Sequence, residues 1–175
     1  IKVAITGSSG KTTTKELVVS VLKQKYNVVY TQGNFNSETG LPLSVFKIRK
    51  EHEVGVFEMG MNRQDEIGEI SKVLKPEYAI ITNIGSAHIG MLGSRDNIAI
   101  EKKKACTYVS KTGAVFIPAE DEYCNFLQKD VLGKVVLFGE NVLSDVNDIE
   151  YLKDCSPMIS TYSAINQSWW ERFEK

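Results

Sequence analysis

The tightest constraint on the fold lies in residues 3–15, "VAITGSSGKTTTK", where a short apolar run breaks into glycine and serine and then into a lysine followed by hydroxyls. The apolar run, bounded by turn residues, reads as a buried strand, and the stretch from Lys11 onward has helical spacing. A strand that turns through glycine straight into a helix aims several backbone N–H groups at one point, where the helix dipole adds positive potential. Such a turn can cradle phosphate. Gly7 and Gly10 let the backbone come close, Ser8, Ser9 and Thr13 line the turn, Lys11 reaches the β- and γ-phosphates, and the Thr12 hydroxyl suits Mg²⁺. The full Walker pattern asks for glycine where Ile5 stands, so what remains is the shorter G-x-x-G-K-T-T form. The plainer alternative is a turn that only caps the helix, with Ser8 or Ser9 as N-cap.

Further apolar, β-branched runs follow at 28–31, 54–58, 78–82, 114–118 and 135–138, separated by stretches of helical spacing at 11–26, 40–50, 65–74, 98–109 and 121–131. Several runs, "YAIIT" and "KVVLF" among them, are continuous rather than alternating, as in strands buried on both faces. The expected fold is therefore α/β: a mostly parallel β-sheet flanked by helices in three α/β/α layers, forming one domain over 1–175. Beyond residue 141 the rhythm fades, and 141–175 is set apart as a terminal segment of uncertain role.

With 21 basic and 22 acidic residues the chain has no global field to attract nucleic acid, so polyanion binding has to be local. No run approaches the ~20 apolar residues of a membrane span, and no charged segment followed by a long apolar one opens the chain. A cytoplasmic protein with neither nucleic-acid nor membrane partner is expected. The cysteines Cys106, Cys124 and Cys155 are widely spaced and lack C-x-x-C pairing, which suits reduced structural thiols.

A nucleotide site on such a sheet draws its remaining groups from the carboxyl ends of neighbouring strands, and these ends are polar. Glu58 ends the run "VGVF", where a carboxylate can partner Mg²⁺ or simply face solvent. His88, in "IGSAHIGMLGS" just past the run that ends at Thr82 and Asn83, is open to metal, substrate or surface roles. Asn34 and Asn36 in "TQGNFNSETG" fit a turn with an N-cap as well as they fit a site. "EKKKA" reads as the solvated face of a helix from which one lysine can still point inward.

Taken in order, "TGSSGKTTTK", "GNFNSETGLPLSVF", "EMGMNRQDEIGEI" and "TNIGSAHIGMLGSRDNIAIEKKKA" resemble the central ATP-binding domain of the Mur ligases, over roughly residues 1–105. The E-x-G-x-N followed by E-I, and the A-H-I followed by G-S-x-x-N-I-A, are most similar to the branch that joins D-Ala-D-Ala to UDP-muramoyl-tripeptide. The resemblance implies ATP and Mg²⁺ as cofactors. Lys11 and the turn N–H groups would hold phosphates, with Asn83, Asn34 and Asn36 lining the cleft. Thr12, Glu58 and His88 would serve metal together with Lys102, carbamylated by CO₂, which has Lys103 and Lys104 as neighbours. It also implies UDP-muramoyl-peptide and D-Ala-D-Ala as partners of the whole enzyme, which is expected to be a monomer. The family's N-terminal UDP-recognition domain and C-terminal domain are not in this sequence, so little or no ligase activity is expected of the chain alone. Other Mur ligases, folylpolyglutamate-synthase-like ligases and a non-catalytic ATP-binding module are the alternatives. The chain departs from the family pattern at Asp65, where glycine is expected, and at Ile100, where lysine is common.

Overall fold

The computed structural model describes residues 1–139, and the terminal segment 141–175 lies outside them. Six strands, β1 (Lys2–Thr6), β2 (Val28–Tyr30), β3 (Val54–Glu58), β4 (Tyr78–Ile81), β5 (Ala114–Pro118) and β6 (Lys134–Phe138), form one sheet in the order β2-β3-β1-β4-β5-β6. Every pair is parallel. Six helices join or flank them: α1 (Lys11–Leu22), α2 (Gly40–Val45), α3 (Glu66–Leu74), α4 (Ile89–Leu92), α5 (Arg95–Lys103) and α6 (Cys124–Gln128). The expected three-layer α/β/α arrangement is what forms.

Strand order decides which face each helix takes. From β1 the chain steps outward past β3 to reach β2, against the direction of every later step, so a right-handed crossover puts α1 on the face opposite the helices that follow. Two cores result, and successive strand residues alternate between them. Val3, Ile5, Val54 and Val56 pack with Val19 of α1, while Ala4, Phe57, Ala79, Ile81, Val115 and Ile117 pack with Leu41, Ile67, Ile70, Ile98 and Leu127 on the other face. β3 is buried throughout. β6 is not, which corrects the reading of "KVVLF" as covered on both faces: it is the sheet's last strand, and Phe138 is 40% exposed.

Helix ends differ from the spacing in instructive ways. α1 stops at Leu22 and closes in a turn in which Tyr26 N–H reaches the Leu22 carbonyl. α5 begins before residue 98 because Ser94 caps it, its hydroxyl accepting from Asn97 N–H at 3.1 Å. Cys106 and Cys124 are buried free thiols, and burial pushes Cys106 up to about 12. Among the described residues no helix is long and apolar enough to cross a membrane.

An all-parallel sheet brings all its carboxyl ends to one edge. Ile5 pairs with Glu58 and Thr6 with Ile81, so the turn after β1 sits between the ends of β3 and β4. That crevice is where open α/β sheets bind ligands.

Candidate functional site

The turn from β1 into α1 is locked against the end of β4 and the loop after it through Ser8 and Ser9. Ser8 N–H donates to the Asn83 carbonyl at 3.0 Å, and Ser9 N–H donates to Asn83 Oδ1 at 3.1 Å. Asn83 Nδ2 donates to Ser9 Oγ at 2.9 Å, Gly85 N–H donates to Ser8 Oγ at 2.8 Å, and the Thr82 hydroxyl donates to the Ser9 carbonyl at 2.6 Å. Ser8 and Ser9 therefore hold the loop rather than cap the helix. The N-cap is Gly10, at φ 75, without a side-chain cap and without an acidic residue in the first turn. Only glycine suits position 7: its φ is 151, and a Cβ there would lie 1.8 Å from Thr82 Oγ1. What results is the N-terminus of a twelve-residue helix left without a side-chain acceptor and flanked by Lys11, with Thr13 exposed on its first turn. These features fit a phosphate group.

Glu58, 2% exposed, ends β3 beside this turn. Its Oε2 accepts from the Thr12 hydroxyl at 2.9 Å, and its Oε1 accepts from Asn36 Nδ2 at 2.7 Å. Asn36 is itself fixed, with its carbonyl accepting from Gly60 N–H at 2.7 Å. A hydroxyl and a carboxylate in contact beside a phosphate cradle are the oxygen donors a hard divalent cation takes. Of the two asparagines considered, the structure brings Asn36 to the carboxylate and leaves Asn34 exposed on the loop. Among the described residues no three His, Cys, Asp or Glu side chains gather as a metal cluster, so a cation here would also need phosphate or water oxygen.

On the other side of β1 the groups are cationic. Lys102 Nζ and Lys11 Nζ both donate to the Gly7 carbonyl, at 2.9 and 3.0 Å. Lys102 is 1% exposed, and burial, then the charge of Lys11, bring it down to about 7, against the pull of Glu101. The neighbouring lysines go elsewhere, Lys103 to the Phe126 carbonyl and Lys104 to Asp65 and Glu101. His88 stands at φ 70 at the start of α4. Burial, then Lys102 and Lys11, lower its pKa, which makes the imidazole a neutral nitrogen donor near both lysines.

The sequence matches the Mur ligase middle domain over residues 5–168. The chain belongs to this family. It is 47% identical over 151 residues to the UDP-N-acetylmuramoyl-tripeptide–D-alanyl-D-alanine ligase of Treponema pallidum, covering 85% of this chain and 33% of that protein. Among solved structures, MurF from Acinetobacter baumannii superposes with a TM-score of 0.76 at 37% identity, covering 80% of this chain and 31% of that one. MurF from Thermotoga maritima, determined in complex with ADP, gives 0.72 at 36% identity, covering 81% and 33%. The chain thus spans about a third of the length of these relatives.

Within this Mur ligase domain, several residues that order the site were given no role by the sequence reading, although Glu66 and Glu101 lie inside the quoted motifs. Glu66, 2% exposed at the start of α3, accepts Glu38 N–H at 3.1 Å and Asn62 N–H at 2.6 Å, tying the loops after β2 and β3 to one carboxylate. Glu101 accepts Ile67 N–H at 3.0 Å, and so joins α5, which carries Lys102, to the N-terminus of α3. Asp121 Oδ2 accepts Ile84 N–H at 2.7 Å and steadies the His88 loop. An acidic residue opening an apolar helical run, as in "DEIGEI", is the sequence signal at Glu66, and its burial appears only in the fold.

Proposed function

We propose that this chain binds ATP with Mg²⁺, as the nucleotide-binding domain of a ligase that joins D-Ala-D-Ala to UDP-muramoyl-tripeptide in peptidoglycan synthesis. The observation that carries the reading is the Thr12 hydroxyl 2.9 Å from Glu58 at the mouth of the glycine turn, which puts the two magnesium-type oxygen donors beside the phosphate cradle. In this reading Lys11, the N–H groups of the first turn of α1, Ser8, Ser9 and Asn83 hold or shape the phosphate site. Thr12 and Glu58 hold one Mg²⁺, and His88 with a carbamylated Lys102 serves a second. Asn36 orients Glu58.

In the whole enzyme the substrate carboxylate attacks the γ-phosphorus, the bond to the β-γ bridging oxygen breaks, and ADP leaves. The incoming amine then displaces phosphate from the acyl phosphate and gives up a proton as the amide forms. The protein's part in the first step is electrostatic: Lys11 and the helix N-terminus would offset charge on the transferring phosphoryl group, and cations held by Thr12 and Glu58 and by His88 and Lys102 would add to it. A lysine already brought to about 7 exposes the neutral amine that CO₂ requires, which supports Lys102 as the carbamylation site. A cytoplasmic location and a monomeric state go with this reading. The likeness to D-Ala-D-Ala ligases favours that branch over folate-type relatives.

Calorimetric titration with a non-hydrolysable ATP analogue and its GTP counterpart, each with and without Mg²⁺, tests it. Mg²⁺-dependent binding of the ATP analogue is expected. Binding of neither analogue, or equal binding of both, overturns it.

A further inference from the structure

Lys15 is one of the largest fully buried side chains, at 1% exposure, although a lysine is almost never buried without a partner for its charge. Its Nζ donates to the Thr31 carbonyl at 2.8 Å and pairs with the half-exposed Glu16 carboxylate at 2.8 Å. Thr31, itself fully buried, follows β2, and its N–H donates to the Val56 carbonyl at 3.0 Å. In a regular parallel ladder that pairing would send the N–H of Glu58 to the Thr31 carbonyl. Here Lys15 holds that carbonyl, and Glu58 N–H donates to the Thr31 hydroxyl instead, at 3.1 Å. The ladder is thus rewired at the residue that carries the carboxylate.

Lys15 lies three positions beyond Thr12 and so on the same side of α1. α1 therefore grips Glu58 twice, at the carboxylate through Thr12 and at the backbone through Lys15 and Thr31. An apolar side chain would fill the position of Lys15 without the desolvation cost of an ammonium. We infer that Lys15 and Thr31 are positioning residues that set the carboxylate of Glu58 for magnesium. The inference rests on the nucleotide reading above and adds to it the residues that hold the carboxylate in register.

The test uses the full chain and the ATP analogue, titrated over a series of Mg²⁺ concentrations, with Thr31→Val, Thr31→Ser and Lys15→Met beside the unsubstituted protein. Thr31→Val keeps the shape and loses the hydroxyl, and it is expected to raise the Mg²⁺ concentration for half-maximal binding roughly tenfold. Thr31→Ser keeps the hydroxyl and stays within about twofold, while Lys15→Met follows Thr31→Val. Binding measured without Mg²⁺ stays the same in all four. A change in melting temperature alone, or equal Mg²⁺ requirements in the valine and serine variants, overturns the positioning role while leaving nucleotide binding intact. Absence of Mg²⁺-dependent binding in the unsubstituted chain overturns the nucleotide reading, and this inference with it.

Discussion

Glu58 and Lys102 are equally deep, 2% and 1% exposed, and they flank the same glycine turn, yet the protein treats their charges in opposite ways. Both carboxylate oxygens of Glu58 have a donor, and its N–H has an acceptor in Thr31. Lys102 has one carbonyl, which it shares with a second ammonium. A buried charge is tolerated when hydrogen bonds replace its water, and otherwise it tends to lose its charge. The acidic side of the site is therefore held by hydrogen bonds at both oxygens, while on the cationic side the pull of Glu101 is outweighed by burial and by the charge of Lys11. In the reading proposed above, phosphate or a carboxylate made on Lys102 would supply the anion that offsets the two lysines.

The largest expected effect comes from removing the cation that faces outward. Lys11→Ala should lower affinity for the ATP analogue by about a hundredfold, the scale of a lost charge-assisted hydrogen bond. The fold should remain, because among the described residues the bond Lys11 makes is the one to the Gly7 carbonyl, which keeps Lys102. Unchanged affinity in a folded variant would break the phosphate-cradle reading. The same variant sharpens the comparison: with the Lys11 charge gone, the lowering of Lys102 should shrink to what burial causes against the pull of Glu101.

A smaller effect should appear in stability as pH changes, read in metal-free, CO₂-free buffer. Unfolded, Lys102 holds its proton up to its ordinary value of 10.5, whereas folded it gives the proton up near 7. Between those values the unfolded chain binds more protons, so stability rises with pH across that window. Below it both states are protonated, and the full cost of burying the ammonium falls on the folded state. Lys102→Met lacks this titration. Denaturant unfolding from pH 7 upward should show the unsubstituted protein gaining on the variant, with the variant the more stable at the low end. Parallel curves would mean that the ammonium is not desolvated.

All six strands were legible in the sequence because buried parallel strands announce themselves as apolar runs between turn residues. The glycine turn and Glu58 were legible for a related reason: in a parallel sheet a polar group that ends an apolar run falls at the carboxyl edge, where ligands bind, whereas Lys102, on α5, was singled out among its neighbours only by the family resemblance. Lys15 and Thr31 were not, since Lys15 sits in an ordinary helical pattern and Thr31 looks like a strand end. Their meaning depends on which strand lies beside α1, and the β2-β3-β1 order is set by long-range pairing. Asn34 and Asn36 share the same local pattern, and only the fold distinguishes them by placing Asn36 on Glu58.

Asp65, where the sequence reading expects glycine, carries the smallest prediction. It lies at φ 66, the left-handed region glycine tolerates best, which is consistent with that expectation and marks the aspartate as strained. What it has in return is the Lys104 ammonium at 2.8 Å, whose hydrogen bond and charge hold the Asp65 carboxyl below the usual carboxylate range. Lys104 also binds the buried Glu101 beside Lys102, so the pair ties α3 to the cationic side of the site. At 63% exposure the aspartate's ion pair is screened and weak. Asp65→Gly relieves the backbone, loses the pair and frees the unfolded chain, effects of similar size and mixed sign. The melting midpoint should therefore move by no more than about 5 °C. Adding salt should help the glycine variant relative to the aspartate form, since only the latter has an ion pair to lose. A large destabilisation that salt leaves untouched would show instead that Asp65 is needed to hold α5, and Lys102 with it, in place.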